Sequence, residues 1–551
     1  MLSDLTNSSV GRLRRWNARR HLRAQIAELE RVVRSSPLNP DEGPAPVFFF
    51  DASTRLNHVS QNAAFSKLAE WAVRQMGVQT WRLVCQQGMS QCMLGTDHTD
   101  LEKPPPCRLC LRMSGILHAL NHTLVLEFDP GLESDLRSEL DSKSIAELSG
   151  WRYQGYELGQ ICLPSLRWAL RRHHLPEESG IRDTFRRYLT SAANLLHHFG
   201  RIFDALEPRA LVVFNGVSYP EAVARQVALS KGVPVVTHEV GMRPISAFFS
   251  HGHATAYPIE PPRAALRPDE RRALDAYLQD RTRGRFSMAG VKFWPEIEPL
   301  PETLREKMDV HRGTVPVFTN VIFDTSQIHA NLLFENMFDW LEELKRVISA
   351  HPETLFVIRA HPDEARPGKT SQESVANWVA DSGLLEAQNL HFIPATEYVS
   401  SYDLIREAKL VLIYNSSIGL EASILGVPVL CAGRARFTGA HTVYFPDSKA
   451  RYKVMLETFL AQERVENPEE FSENARRFLH YQLFRTSLVL SDFLRPDPDI
   501  AGGVLLKGFE IEQLAPERSA ELDVIAKGIL YGSPFVYPEG ARAHMDQEPN
   551  A

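Results

Sequence analysis

The chain lacks any uninterrupted apolar stretch of the roughly 18–20 residues that a bilayer span requires, so a transmembrane helix is not expected. Its first thirty residues lack the apolar core and cleavage site of a secretory signal, and the sequence therefore reads as cytoplasmic. An excess of positive charge is missing too. Lys and Arg number 61 against 68 Asp and Glu, for a formal charge of −7 at pH 7, so no overall field draws nucleic acid. Cysteine is scarce, six in 551 residues. That is too few for a disulfide framework, and a reducing compartment would keep them as thiols or metal ligands. No internal repeat at a fixed period is visible.

Two phosphate-handling signatures are also absent. There is no Gly-x-Gly-x-x-Gly, and Gly368-Lys369-Thr370 ends like a phosphate loop but has Asp363 where the first glycine must stand, so ATP hydrolysis is not supported. The Asp-x-Asp string at Asp497-Pro498-Asp499 lies in a proline-broken tail and reads as a turn. Metal-independent chemistry, with no catalytic metal, is the expectation.

What is present is an ordinary globular composition, 44% hydrophobic and 23% charged, long enough for two or three domains with their own cores. Residues 1–45 read as a basic amphipathic helix: Arg12, Arg14, Arg15, Arg19, Arg20 and Arg23 interleave with Leu13, Trp16, Leu22, Ile26, Leu29 and Val33. Such a helix either packs on the body of the protein or anchors it peripherally on anionic lipid, at the inner face of the cell membrane. From VFFFDAS at Val47, apolar runs alternate with helical segments, as in a parallel sheet covered by helices. In the clearest unit, ALVVF at Ala210 leads through NGVSYP into a helix, with Ser218 and Glu221 spaced as a capping box, and then into VPVVTHE. The pattern gives an α/β architecture with two parallel-sheet domains. Its bounds are a first domain at 46–256 with a Cys-rich insertion at 85–110, a proline-punctuated connection at 257–312, a second domain at 313–495 and an unassigned tail at 496–551.

Ligands of open α/β sheets lie beyond the carboxyl ends of the strands. Four strand ends are polar here: Ala360-His361-Pro362-Asp363-Glu364, Asn415-Ser416-Ser417-Ile418-Gly419, His238-Glu239-Val240-Gly241-Met242-Arg243, and Asn320. Ser416 and Ser417 open a helix, so their hydroxyls and the first-turn amides would form an anion site at the positive end of its dipole. Arg359 and His361 would add donors, and Glu421, one turn in, would accept from a ribose. A serine pair is equally at home as an N-cap, and His-Pro as a strand terminator.

The strings VIRAHPDE and YNSSIGLEASILGVPVLCAG, with HEVGMRP in the first domain, resemble the capsule polysaccharide biosynthesis glycosyltransferases of GT-B type. The His-Pro and serine pair are similar to the pattern of Kdo transferases, bacterial sialyltransferases and teichoic-acid glycerophosphotransferases. In HEVGMRP the arginine, Arg243, falls two residues after Gly241, a departure from the Glu-x-Gly-x-x-Arg spacing of capsule Kdo transferases. The resemblance implies an α/β, GT-B-like architecture, two Rossmann-like parallel-sheet domains facing across a cleft, and a nucleotide-sugar donor, with a cytidine-type donor narrowly preferred. It also implies that His361, Ser416 and Ser417 contact the donor phosphates, and that a glycan or lipid-linked glycan is the acceptor. Sugar transfer needs a base for the acceptor hydroxyl and stabilisation of the leaving phosphate. Glu239 is the first choice for base, with Asp51 and His238 behind it. Alternatives on the same fold are a nucleotide-sugar 2-epimerase-type isomerase, a CDP-glycerol-type phosphotransferase and a non-catalytic binding protein.

Cys85, Cys92, Cys107 and Cys110 fall as Cys-x6-Cys-x14-Cys-x2-Cys. They could clamp a structural zinc ion, with His98 as a substitute ligand, or be ordinary thiols. Cys162 and Cys431 read as packing residues.

Overall fold

The computed structural model describes residues 9–538, apart from 55, 57, 119–121, 253–260, 262–263 and 284–297. Two sheets organise it. The first has the order β12-β6-β5-β4-β1-β2-β3, with β1 Val47–Phe50, β2 Thr80–Cys85, β3 Thr123–Leu126, β4 Ala210–Phe214, β5 Val235–Val240, β6 Ser246–His251 and β12 Leu488–Val489. Strands β1 to β5 run parallel, while β6 and β12 add antiparallel at one edge. The second sheet is parallel throughout, in the order β11-β10-β7-β8-β9. Its strands are β7 Gly313–Phe318, β8 Thr354–Arg359, β9 Leu390–Ile393, β10 Val411–Ile413 and β11 Val429–Cys431.

These strands form where apolar residues run without alternation, because helices cover both faces of each sheet. Phe48, Phe50, Leu211 and Val213 feed a core on one face of the first sheet, and Val47, Phe49, Ala210 and Val212 one on the other. Phe48 and Phe50 meet Phe199 edge-on, from the 28-residue helix Ser179–Leu206. Burying one such side chain contributes about 1.5–3 kcal/mol. Two further cores sandwich the second sheet in the same way.

Three segments sit elsewhere than the sequence pattern places them. The chain leaves the second domain before residue 495: β12 pairs with β6, and Leu490, Phe493, Leu522, Ile525, Ile529 and Tyr537 enter the first domain's core. The described part of the expected tail is therefore a returning arm of the first domain, and Asp497 lies in it next to the antiparallel pair Leu494–Pro496 and Val504–Leu506. The expected connection at 257–312 contributes to the second core, through Leu274 of the helix Pro268–Thr282 and Leu304 of the helix Glu302–Val310. The N-terminal helix, Ser9–Ser35, packs on the first core through Ile26, Leu29 and Val33, while Trp16 is 56% exposed with Arg20 over its ring. The side chains of Arg12, Leu13, Arg14 and Arg15 lie outside the described residues.

The expected capping box at Ser218 does not form. Ser218 is the N-cap of the helix Tyr219–Ser230 without a side-chain cap bond, because Glu221 accepts instead from the Ser53 amide at 2.7 Å and the Ser53 hydroxyl at 2.8 Å. Among the described residues no helix is long and apolar enough to cross a membrane.

Candidate functional site

Strand order reverses between β4 and β1 in the first sheet and between β10 and β7 in the second, which is where an open α/β sheet leaves a crevice. The loops after β4 and β5 and those after β7, β8, β10 and β11 carry the polar residues of the site.

In the second domain, Thr319 and Asn320 follow β7, and His361 follows β8 by two residues. His361 caps the turn Pro362–Ala365: its Nδ1 accepts from the Asp363 amide at 3.1 Å. Desolvation by burial lowers the imidazole pKa, outweighing the opposing pull of Asp363 and Asp324. A neutral ring whose Nδ1 accepts must carry its proton on Nε2, so His361 presents an N–H donor. Arg359 is 3% exposed, and burial lowers its pKa to about 10, so the guanidinium is a desolvated cation under the same strand end.

On the other side of β7, Asn415 is bound into the loop after that strand. Its amide donates to the Ser326 carbonyl at 3.0 Å, its side-chain oxygen accepts from Gln327 at 3.0 Å, and its backbone N–H donates to Asn320 at 3.3 Å. Ser416 is buried and Ser417 exposed. Ser417 is the N-cap of the helix Ile418–Ile424 but has helical backbone angles and makes no side-chain cap. The first-turn amides of Gly419 and Leu420 are taken up by the Ser416 and Ser417 carbonyls, at 3.1 and 3.0 Å. The expected anion site thus loses two of its first-turn amides to these carbonyls, and the two hydroxyls are what the serine side chains offer. Ser416 and His361 stand on either side of the end of β7, roughly 10 Å apart at the two-strand spacing.

Glu421 does not serve a ribose. It is 5% exposed, and its two oxygens are engaged by Arg281 Nε at 2.7 Å and by the Tyr402 hydroxyl, a buried ion pair that ties the helix Pro268–Thr282 to the second domain.

In the first domain, Glu239 lies in β5 near its carboxyl end. Its carboxylate accepts from the Asn62 amide at 2.8 Å, the Asn215 amide at 2.9 Å and the Val240 backbone N–H at 2.8 Å. Asn215 follows β4 in a left-handed conformation, φ 52, which Asn tolerates better than most residues and which turns its side chain to this carboxylate. Three donors fix the carboxylate's orientation and leave lone pairs for a substrate hydroxyl.

The other two first-domain candidates are structural. Asp51 is fully buried and pairs with Arg82 at 2.6 Å, within a charge cluster that also holds Glu70, Lys67 and Glu30. His238 is fully buried between Phe214 and Phe249, and burial lowers its pKa to about 4. Neither can reach a substrate in the cleft.

Residues that the motifs did not single out complete the site. Arg436, after β11, lies over the Phe248 ring of β6 at 5.8 Å and so spans the two domains. Burial lowers its pKa, while Glu239 from one domain and Asp324 from the other pull it up. Asp324 also acts on His361 and on Lys369. The strand-end rule applied to VPVLC would have found Arg436. Asn215 was visible in NGVSYP without a role, and Asn62 carries no local signal at all.

The domains are also tied beside the cleft. Glu373 accepts from the backbone amides of His173 and His174 at 2.9 and 3.1 Å and meets His174 Nδ1 at 2.5 Å. The Gln372 amide donates to the Arg171 carbonyl at 2.9 Å. The loop after His361 is thereby held to the first domain. A cavity of about 390 Å³ opens next to Asn215, lined by Gly216, Val217, Tyr156 and Arg225 of the first domain and by Ile328 and His329 of the second.

With this geometry in place, comparison with known proteins gives a match over part of the chain. Residues 303–442 match the family described as Capsule polysaccharide biosynthesis protein. The matched segment contains both VIRAHPDE and YNSSIGLEASILGVPVLCAG, so the expected resemblance to the capsule family holds there. HEVGMRP lies outside it. Among solved structures, the chain is similar to Thermosulfurimonas dismutans KpsC, beta Kdo 2,4 transferase, at 15% identity over 49% of this chain and 79% of that one, with a TM-score of 0.34. The beta Kdo 2,7 transferase structure of the same KpsC gives 17% identity over 56% and 85%, TM-score 0.32. UDP-GlcNAc 2-epimerase from Neisseria meningitidis gives 11% over 80% and 99%, TM-score 0.24. No curated protein matches the chain.

Cys85, Cys92, Cys107, Cys110 and Cys162 lie outside this segment, and Cys431 lies within it. None of the six is in a disulfide. Cys162 and Cys431 are buried, as packing residues should be. His98 is exposed on the loop between Cys92 and Cys107. Among the described residues no group of three or more His, Cys, Asp or Glu side chains is already arranged to hold a metal ion.

Proposed function

We propose that the protein is a glycosyltransferase that moves a sugar from a nucleotide-activated donor, a CMP-sugar by preference, to a surface or capsular polysaccharide. The observation that carries this reading is the pairing of a donor-rich strand end in one domain with an oriented carboxylate in the other. His361 Nε2–H and the Ser416 and Ser417 hydroxyls are the donors assigned to the donor phosphate, and Glu239 of the first domain and Asp324 of the second both act on Arg436. The match of residues 303–442 to the capsule family supports the same reading.

In the proposed step the acceptor hydroxyl, entering from the cavity beside Asn215, gives its proton to Glu239 as its oxygen attacks the anomeric carbon. The bond from that carbon to the donor phosphate breaks, and the charge left on the phosphate is met by His361, the two serines and the nearby cations Arg359 and Arg436. A single displacement of this kind inverts the anomeric centre. Asn62 and Asn215 keep Glu239 aimed, and the Glu373 tie keeps the His361 loop against the first domain. No metal is assigned to the reaction. Exposed Trp16 beside Arg20 on the N-terminal helix supports peripheral contact with an anionic membrane surface, where a lipid-linked acceptor would be found.

The test is nucleotide release from CMP-, UDP- and GDP-sugars with and without capsular oligosaccharide. Acceptor-dependent release is expected, with Glu239→Gln slowing it on the order of 10²–10⁴-fold at unchanged donor affinity. An altered donor sugar without acceptor would instead mark an isomerase. Full activity in Glu239→Gln would remove the assigned base.

A further inference from the structure

Beyond His361 the chain turns back sharply and brings a lysine to the line where the two domains meet. The turn Arg366-Pro367-Gly368-Lys369 is closed by the Lys369 amide on the Arg366 carbonyl at 2.9 Å. Pro367 supplies the fixed φ of its second position and Gly368 the left-handed φ of its third, 76, which is the type II pattern. The Ser371 amide then donates to the Glu364 carbonyl at 2.9 Å, so residues 364–371 form a closed bend.

Both sides of this bend are tied down. On one, the His361 ring accepts from the Asp363 amide, and the Asp363 carboxylate pairs with Arg366 at 3.8 Å. On the other, Arg171 of the first domain donates to the Gly368 carbonyl at 3.4 Å and lies over the Phe323 ring at 5.4 Å. Lys369 is thus carried between His361 and the first domain on a fixed backbone, and its ammonium makes no ion pair or hydrogen bond among the described residues. The carboxylates around it are engaged elsewhere: Asp363 by Arg366, and Asp324 by the Thr325 hydroxyl at 3.2 Å and the Ser326 amide at 3.4 Å. The side chain is exposed yet closely surrounded, and desolvation lowers the pKa of the ammonium, with Arg366 and Arg171 acting the same way against Asp363 and Asp324. A cation that is open to a ligand and short of both water and a partner favours an anion.

We propose that Lys369 is a donor-binding residue whose ammonium meets a second anionic group of the nucleotide donor, a phosphate or a carboxylate, beyond the phosphate assigned to His361. The inference rests on the proposed function and extends it to a specificity-determining side chain. A neutral imidazole and two hydroxyls offer hydrogen bonds but no full charge, whereas Lys369 brings a compact point charge on the same loop. The other two cations are differently placed: Arg436 is already acted on by Glu239 and Asp324, and Arg359 is buried under the strand end. Because backbone bonds rather than a carboxylate set the place of Lys369, no ion pair has to break when the anion arrives, and the loop needs little further ordering.

Calorimetric titration of the full chain tests this, with matched nucleoside mono- and diphosphates of cytosine, uracil and guanine and with a CMP-sugar whose sugar bears a carboxylate. Wild type should bind a diphosphate or the acidic CMP-sugar more tightly than the monophosphate. Lys369→Met should remove about 10–100-fold of the affinity for that favoured ligand, while the monophosphate stays within about twofold. A loss confined to the diphosphate assigns a second phosphate, a loss confined to the acidic sugar assigns a carboxylate, and a loss for both means that the site takes either. Lys369→Arg should restore most of the preference, which a lysine that only supports the loop would not require. Wild-type affinity of Lys369→Met for every ligand, or an equal loss for all of them, would overturn the proposal. His361→Ala separates the two claims: binding that depends on His361 but not on Lys369 leaves the proposed function standing, and no binding of any of these ligands by the wild type ends both.

Discussion

The two domains use the same strand-loop-helix unit to different ends. Phe214-Asn215 leads to Glu221 in the first, and Tyr414-Asn415 leads to Glu421 in the second, with the same spacing from aromatic to asparagine to glutamate. Both glutamates are buried one turn into a helix. Glu221 accepts from neutral donors of Ser53, and burial pushes its pKa up to about 8, which favours the protonated form at neutral pH. Glu421 is met by the Arg281 cation. The asparagines diverge in the same way: Asn215 donates to the Glu239 carboxylate, and Asn415 holds the loop after β7. Position in the fold sets what a residue can touch, and the partner decides its charge and its work.

The sharpest way to break this comparison is to neutralise each glutamate. Glu421→Gln should leave the Arg281 cation buried and uncompensated, a loss of about 3–5 kcal/mol. Glu221→Gln at pH 7 should cost under about 1 kcal/mol, since the carboxyl it replaces is already mostly neutral and the amide can still accept from Ser53. Urea midpoints of the two variants side by side measure the difference, and equal losses would show that the partners do not set the charge.

The asparagines give the next largest effect. Asn215→Gly keeps the left-handed backbone while removing the amide from Glu239. Turnover should fall by about 10–100-fold, as expected for a hydrogen bond of roughly 1.5–3 kcal/mol to a charged group, with nucleotide affinity unchanged. Asn415→Ala should do the opposite, weakening nucleotide binding while the chemical step keeps its rate. Separate kcat and KM values distinguish the two.

The comparison can be sharpened further through the pH dependence of stability. A carboxyl whose folded pKa is raised adds stability that is full below its unfolded value near 4.5 and is lost as pH rises through about 8. Glu364 is raised by burial to about 8 as well. Glu221→Gln should therefore flatten, by about half, the fall in stability between pH 4.5 and 8 due to these two groups. Thermal denaturation across that range reads it, and an unchanged slope would mean that Glu221 is ionised.

Much of this was legible in the sequence, for a physical reason. Apolar runs mark the parallel strands, and the polar residues after them mark the crevice, so His361, Asn415, the serine pair and Glu239 could be located without coordinates. Charge partners could not be. Asp51 follows a buried strand as a catalytic acid would, but Arg82, 31 residues on, pairs with it. Glu421 depends on Arg281 from a segment that the prolines mark as a connection. The returning arm was illegible because its elements are short: two residues of β12 join the first sheet, and the contacts that fix them come from strands more than two hundred residues earlier.

The central claim is that a nucleotide phosphate is held at the end of β7 by donors that include His361. Calorimetric titration of wild type and His361→Ala with CMP, CDP, UDP and GDP, without metal and then with magnesium, tests it most directly. The account predicts selective binding of CMP or CDP by the wild type without metal, weakened at least tenfold in the variant while its thermal unfolding is unchanged. Equal affinity in the two proteins, or no nucleotide bound by the wild type under either condition, would contradict it.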